Sequence, residues 1–203
     1  MSVADSTNQD EPRLVRRLAL LGGESTGKTT LARALAEKLS TNWVPEYGRE
    51  RWEELRVTLS PTELVEVARE QVRREDAAAA KLRATANPRA AAWLVCDTTP
   101  LTTLQYCLHD HGNAPPELVE LARRTYDRVL VCEPDFEFVQ DGCRRDDNFR
   151  CSQHAWTLRQ LDEMAVPALR VGGPLNARLA QVLDDLATPP PQANNGWNPN
   201  DCS

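Results

Sequence analysis

The chain is short of positive charge. Its 24 Lys and Arg are outnumbered by 30 Asp and Glu, giving a formal net charge of -6 and a pI near 5.2. An acidic chain repels a nucleic-acid backbone, so no general nucleic-acid binder is expected. Locally clustered arginines leave small anionic ligands open. There is no run of about 18 apolar residues, so no transmembrane helix and no membrane partner are expected. Residues 1–12 are polar and acidic and lack the apolar stretch of a secretory signal. The six cysteines (Cys96, Cys107, Cys132, Cys143, Cys151, Cys202) contain no C-x-x-C pair. Cys96 and Cys132 stand in apolar runs, where a thiol acts as a small hydrophobe. Cys143, Cys151 and His154 share one segment, but their irregular spacing and missing fourth ligand do not suit zinc. A reduced, cytoplasmic protein fits this usage. Internal repeats are absent. Aromatic residues make up only 5% of the chain, which draws attention to where they stand.

What is present begins with 203 residues, 41% of them hydrophobic, enough for one α/β domain with a core. The organising stretch is Gly22-Gly23-Glu24-Ser25-Thr26-Gly27-Lys28-Thr29-Thr30. It fits G-x-x-x-x-G-K-[ST] without deviation and sits between an apolar strand and a helix with leucines four residues apart. Glycines let the backbone approach a phosphate closely, and the loop N–H groups and helix N-terminus then converge on its oxygens. Residues Gly22 to Thr30 are therefore the candidate ATP contacts. Lys28 would reach the β- and γ-phosphates, and the Thr29 hydroxyl would sit on Mg²⁺.

Strands and helices alternate along the rest of the chain. Strands are expected near residues 13–21, 43–44, 93–97, 128–132 and 168–172. Helices are expected at 27–40, 51–55, 60–86, 98–108, 116–126, 152–164 and 175–186. Ser60-Pro61-Thr62-Glu63 is a capping-box start, and Asn87-Pro88 is a break. This order predicts a P-loop NTPase fold: a parallel sheet of about five strands with helices on both faces, resembling nucleoside-monophosphate kinases with a lid. The domain spans 13–187. Residues 1–12 and the Pro- and Asn-rich 188–203 read as disordered.

Asp97 ends an apolar strand beside the phosphate loop, where a carboxylate faces Mg²⁺. The competing reading is a helix cap, but Thr98 and Thr99 can cap in its place. Glu46 lies at the end of the second strand, where open parallel sheets bind ligands. There it either draws the proton from an acceptor hydroxyl or complements a helix dipole. Arg49, three residues on, either binds substrate or pairs with Glu46. Arg144, Arg145 and Arg150 stand in a charged loop before a helix. They form either a cationic lid over the transferring phosphoryl group or a salt-bridged surface loop with Asp141, Asp146 and Asp147. Trp43, Tyr47, Trp52 and Tyr106 lie near the predicted ligand edge, where one of them could stack on a flat cationic heterocycle.

Together, Gly22 to Thr30, Pro45-Glu46-Tyr47-Gly48-Arg49, Asp97-Thr98-Thr99-Pro100-Leu101-Thr102-Thr103 and the arginine lid resemble the NadR-type ribosylnicotinamide kinase domain. That family is a P-loop ATPase group labelled AAA domain, and the resemblance covers about residues 13–186. It implies ATP-dependent phosphorylation of the 5′-hydroxyl of nicotinamide riboside in NAD salvage, with ATP and Mg²⁺ as cofactors. By the same resemblance Asp97 is the metal-side or base carboxylate. Glu46, Tyr47 and Arg49 face the nucleoside, and Arg144 and Arg145 are lid cations. Bifunctional relatives carry a G-x-x-x-P-x-H-x-G-H motif that these residues lack, so the kinase activity alone is implied. The rival reading is a nucleotide-dependent regulatory switch of the same fold, followed by a kinase of another nucleoside. Oligomeric state is left open.

Overall fold

Four of the five strands are rich in Val and Leu, which suit a pleated surface buried on both sides. β1 (Val15–Leu21) lies at the centre, and β3 (Ala92–Asp97) and β4 (Arg128–Cys132) flank it. β2 (Trp43–Val44) and β5 (Leu169–Val171) form the edges, giving the order β2-β3-β1-β4-β5 with every pairing parallel. The computed structural model describes residues 14–85, 92–140 and 145–187. The expected disordered ends, the Asn87-Pro88 break, Cys143 and Arg144 lie outside the described residues.

Alternation along β1 sorts the two faces. Leu18 and Leu20 pack with Leu31 and Leu35 of α1 (Lys28–Lys38) and with Leu179 and Val182 of α7 (Leu175–Ala187). Ala19 and Leu21 face the other way. They pack with α3 (Pro61–Thr85), α4 (Pro100–His111), α5 (Pro116–Ala122) and α6 (Asp147–Glu163). Leu18 and Leu20 have no exposed surface, and each such burial contributes about 2 kcal/mol. The result is three layers with helices on both faces.

Local chemistry sets the helix starts. At α3, the Glu63 N–H donates to Ser60 Oγ (3.3 Å) and the Ser60 N–H donates to Glu63 Oε2 (2.8 Å), so the capping box closes. At α4, Thr99 Oγ1 accepts the Leu101 N–H. α6 begins five residues before the expected 152, because the Asp146 carboxylate accepts the Phe149 N–H (2.7 Å) and caps the helix there. α5 ends at Ala122 rather than 126, since Tyr126 turns inward to bond Glu75.

Parallel register aligns the strand ends. Leu20 pairs with Asp97 across β1 and β3, and Val44 pairs with Cys96. The carboxyl ends of β1, β2 and β3 therefore deliver Gly22, Glu46 and Thr98 to one edge, where ligands bind in such sheets.

Candidate active site

The turn from β1 into α1 needs a backbone that a side chain would obstruct. Gly22 has φ +129°, and a Cβ there would lie 2.7 Å from the Cys132 carbonyl oxygen. A Cβ on Gly23 would lie 2.5 Å from the Arg150 carbonyl oxygen. β4 and α6 thus press on the loop from outside and fix its shape. Lys28 Nζ donates to the Gly22 and Gly23 carbonyls (3.0 and 2.7 Å), bridging the mouth of the loop. The Thr26 hydroxyl donates to the Gly23 carbonyl (2.8 Å). Behind the loop, Arg178 of α7 donates to the Thr26 carbonyl (2.9 Å) and pairs with Asp135.

Asp97 is 1% exposed. Its Oδ2 accepts the Thr29 hydroxyl (2.6 Å), and its Oδ1 has no hydrogen-bond partner among the described residues. Burial raises its pKa, against the Thr29 bond and the Lys28 charge. A hydroxyl beside a carboxylate with an unused buried oxygen fits a Mg²⁺ shared with phosphate oxygens. Among the described residues no cluster of three or more His, Cys, Asp or Glu side chains could hold a metal ion by itself. Asp97 does not cap α4, because Thr99 takes that place.

Glu46 is the residue before α2 (Tyr47–Leu55), and its carboxylate makes no capping bond. It lines a cavity of about 220 Å³. Burial pushes its pKa up to about 7, with Asp97 and Glu24 adding to the rise and Lys28 and Arg49 opposing it. One end of the cavity is the phosphate loop from Glu24 to Thr30. Around the rest stand Arg49, Trp52, Thr102, Tyr106, Asp110 and Arg145. Thr102, Tyr106 and Asp110 recur every four residues on one face of α4, a spacing legible in the sequence that singles out Asp110 as well as Tyr106. Gln153 of α6, also at the cavity, carries no such signal.

Four sequence expectations need correction. Tyr47 does not line the cavity. Its ring packs against the α3 side of the core, with the Arg74 guanidinium 4.3 Å from the ring centroid. As first residue of α2 it points along the helix surface that docks on α3, while Glu46 and Arg49 point into the cavity. Arg49 pairs with Glu53 (2.9 Å), one helical turn on, rather than with Glu46. Arg145 reaches the cavity, but its partner is none of the nearby aspartates. Its guanidinium binds both oxygens of Asp110 (2.5 and 2.7 Å) and lies 4.5 Å from the Phe149 ring centroid. Asp147 pairs with Arg150 instead. Trp43 lies away from the cavity under Arg33.

Comparison with known proteins follows this geometry. A family model described as AAA domain matches residues 17–178. A NadR protein in complex with NR superposes with a TM-score of 0.66 at 22% identity, over 87% of this chain and 53% of that one. A NadR protein in complex with NAD and AMP-PNP gives 0.61 at 21%, over 85% and 49%. Thymidylate kinase from Ehrlichia chaffeensis gives 0.60 at 15%, over 85% and 99%. The chain spans about half the length of the NadR proteins it matches. These likenesses establish a NadR-like P-loop fold of the nucleoside-monophosphate-kinase type. With its phosphate loop inside a model match that covers most of its length, the chain belongs to the AAA domain family.

Proposed function

We propose that residues 13–187 form an ATP-dependent small-molecule kinase that phosphorylates the 5′-hydroxyl of a nucleoside, most specifically nicotinamide riboside. The observation that carries this reading is one cavity running from Lys28 and Thr29 to the unpaired-cap carboxylate of Glu46. A phosphate donor and a proton acceptor on one small cavity suit in-line transfer to a hydroxyl. The charge of the far end also bears on the acceptor. Its arginines are already engaged, Arg49 by Glu53 and Arg145 by Asp110. Glu24, Glu46 and Asp110 add negative charge along the walls. That lining disfavours an acceptor carrying its own phosphate and favours a neutral or cationic nucleoside. Trp52 and Tyr106 offer flat faces to a charged ring. The NadR protein bound to NR points the same way.

In this mechanism the loop N–H groups and Lys28 hold the triphosphate. Bound by Thr29 and Asp97, Mg²⁺ would supply charge neutralisation at the β- and γ-oxygens. Glu46 accepts the hydroxyl proton as the oxygen attacks the γ-phosphorus, and the bond from that phosphorus to the β–γ bridging oxygen breaks to release ADP. Lys28 offsets the charge on the transferring group, while Arg145, paired with Asp110, stands in the acceptor wall.

The test is ADP release from MgATP with nicotinamide riboside, beside a panel of ordinary nucleosides and a blank without acceptor. Acceptor-dependent ADP and a new mononucleotide by mass are expected. Acceptor dependence with another nucleoside only would keep the kinase and discard the NAD assignment. ADP at the blank rate throughout would replace this reading with the nucleotide switch. Lys28→Ala should lower turnover by about a hundredfold or more while the circular-dichroism spectrum stays unchanged.

A further inference from the structure

Glu24 belongs to the phosphate loop by sequence, yet its carboxylate points away from the loop mouth. Its Oε1 accepts the Tyr106 hydroxyl of α4 (2.7 Å). Its Oε2 accepts the backbone N–H of Arg145 (2.8 Å). Its own N–H donates to Gln153 Oε1 on α6 (2.7 Å). One residue of the loop is thus bonded to three other segments at charge-assisted or short distances. The two groups that its carboxylate holds are themselves cavity walls. Tyr106 is held with its ring at the cavity, and Arg145 follows with its guanidinium on Asp110. The Arg145 guanidinium also lies 5.6 Å from the Tyr106 ring centroid, so the groups held by the two oxygens touch each other.

We propose that Glu24 is a positioning residue for the acceptor: from inside the phosphate loop it fixes Tyr106 and the Arg145 backbone against the bound nucleoside. This rests on the reading of the cavity as a nucleoside site. A glutamate whose only task was to shape the phosphate loop would need no bonds to α4 or to Arg145. Each carboxylate oxygen accepts a bond from a wall of the acceptor end, Oε1 from α4 and Oε2 from Arg145. Losing it loosens the acceptor wall and leaves the Tyr106 hydroxyl without its anion, while the loop keeps its glycine and Arg178 supports.

The experiment compares wild type, Glu24→Gln, Tyr106→Phe and the double variant in steady-state kinetics, with AMP-PNP affinity measured separately by calorimetry. Glu24→Gln should raise the acceptor KM about tenfold, as loss of a charge-assisted hydrogen bond does. AMP-PNP affinity should stay within about twofold. Tyr106→Phe should raise the acceptor KM in the same direction, and the double variant should fall short of the product of the two effects, because they share one bond. Weakened AMP-PNP binding with an unchanged acceptor KM would overturn the proposal, as would fully multiplicative effects. Amide hydrogen exchange at Arg145 decides the matter independently of turnover. Protection in wild type that falls about tenfold in Glu24→Gln supports the tether; equal protection in both overturns it. If no nucleoside is phosphorylated by wild type, the kinase reading fails, and the exchange result alone then stands for or against the tether. Should Glu24→Gln not fold, Tyr106→Phe carries the same kinetic comparison.

Discussion

At the scale of single residues, the proposed mechanism divides labour between a buried carboxylate, Asp97, and a half-buried one, Glu46. Asp97 is held by Thr29 and lies under the loop, whereas Glu46 has its oxygens at the cavity. Burial raises both, but only Glu46 combines a value of about 7 with access to an acceptor. A base works in its ionised form, so acceptor kcat/KM should rise with pH through a midpoint near 7. In Glu46→Gln that ascending limb should disappear and the rate should fall about a hundredfold or more, with AMP-PNP affinity retained. A limb that persists would move the base elsewhere. Asp97→Asn should instead raise the Mg²⁺ concentration needed for half-maximal rate, measured by magnesium titration. Much of this was legible in the chain. The phosphate loop declares itself by spacing, and Asp97 by ending an apolar strand. Tyr47 was misplaced because sequence gives its position at a strand end but not its rotation about α2. Helical spacing puts Asp110 on the face of Tyr106, but its pairing with Arg145, 35 residues away, is visible only in the fold.

At the scale of elements, α2 is a short helix with no buried residues of its own, so its place depends on α3. The Tyr47 N–H, an orphan donor at the helix start, donates to Gln71 Oε1 (3.0 Å). Gln71 is 2% exposed. Arg74 adds a bidentate grip on Glu50 (2.7 and 2.8 Å). α3 thereby sets the entry angle of the segment that carries Glu46, Arg49 and Trp52. Gln71→Leu keeps the volume but leaves that N–H unpaired, which costs about 1–3 kcal/mol. Chemical denaturation should show that loss, and Gln71→Glu, which restores an acceptor, should recover part of it. An unchanged midpoint for Gln71→Leu would mean that α2 finds its place without this bond. Sequence pattern finds α3 through its capping box and its length, yet not which of its polar residues face inward. Arg73 is exposed, while Gln71 and Glu75 are buried. Polar residues inside a helix can be told from surface ones only when their partners, here Tyr47 and Tyr126, are brought across the fold.

At the scale of the whole molecule, the buried acids oppose the usual preference for neutral pH. Glu46 and Glu75 both have folded pKa values pushed up to about 7 by burial, from the ordinary glutamate value of 4.5. Glu75 has no exposed surface; Tyr126 bonds it and Arg124 pairs with it at 3.0 Å. For a carboxylate with a raised folded pKa, the unfolded chain releases its proton first. The stability it contributes is present below about 4.5 and is lost as pH rises through about 7. For Glu75 that loss is on the order of 3 kcal/mol. Other groups act in the opposite sense. His154, lowered by burial, favours the folded state above the ordinary histidine value of 6.5 and costs stability as pH falls below it. Glu70, lowered to about 2 by Arg73 and Arg74, contributes stability above 4.5 that is lost at lower pH, but it is solvent-screened and weak. Two raised glutamates, with Asp97 raised beside them, outweigh one histidine between pH 5 and 8. The ligand-free protein should therefore melt at a lower temperature at pH 8 than at pH 5. Calorimetry of wild type, Glu46→Gln and Glu75→Gln checks this. Each variant removes one acid with a raised pKa, so each should flatten the decline, and both should gain most at pH 8. A wild-type melting temperature that rises from pH 5 to 8 would show that these acids are hydrated in the folded state. Nucleotide should shift the balance again, because binding at Lys28 removes a cation that now lowers the pKa of Glu46 and Asp97. Where AMP-PNP without metal is added, the pH range over which the melting temperature declines should therefore move upward.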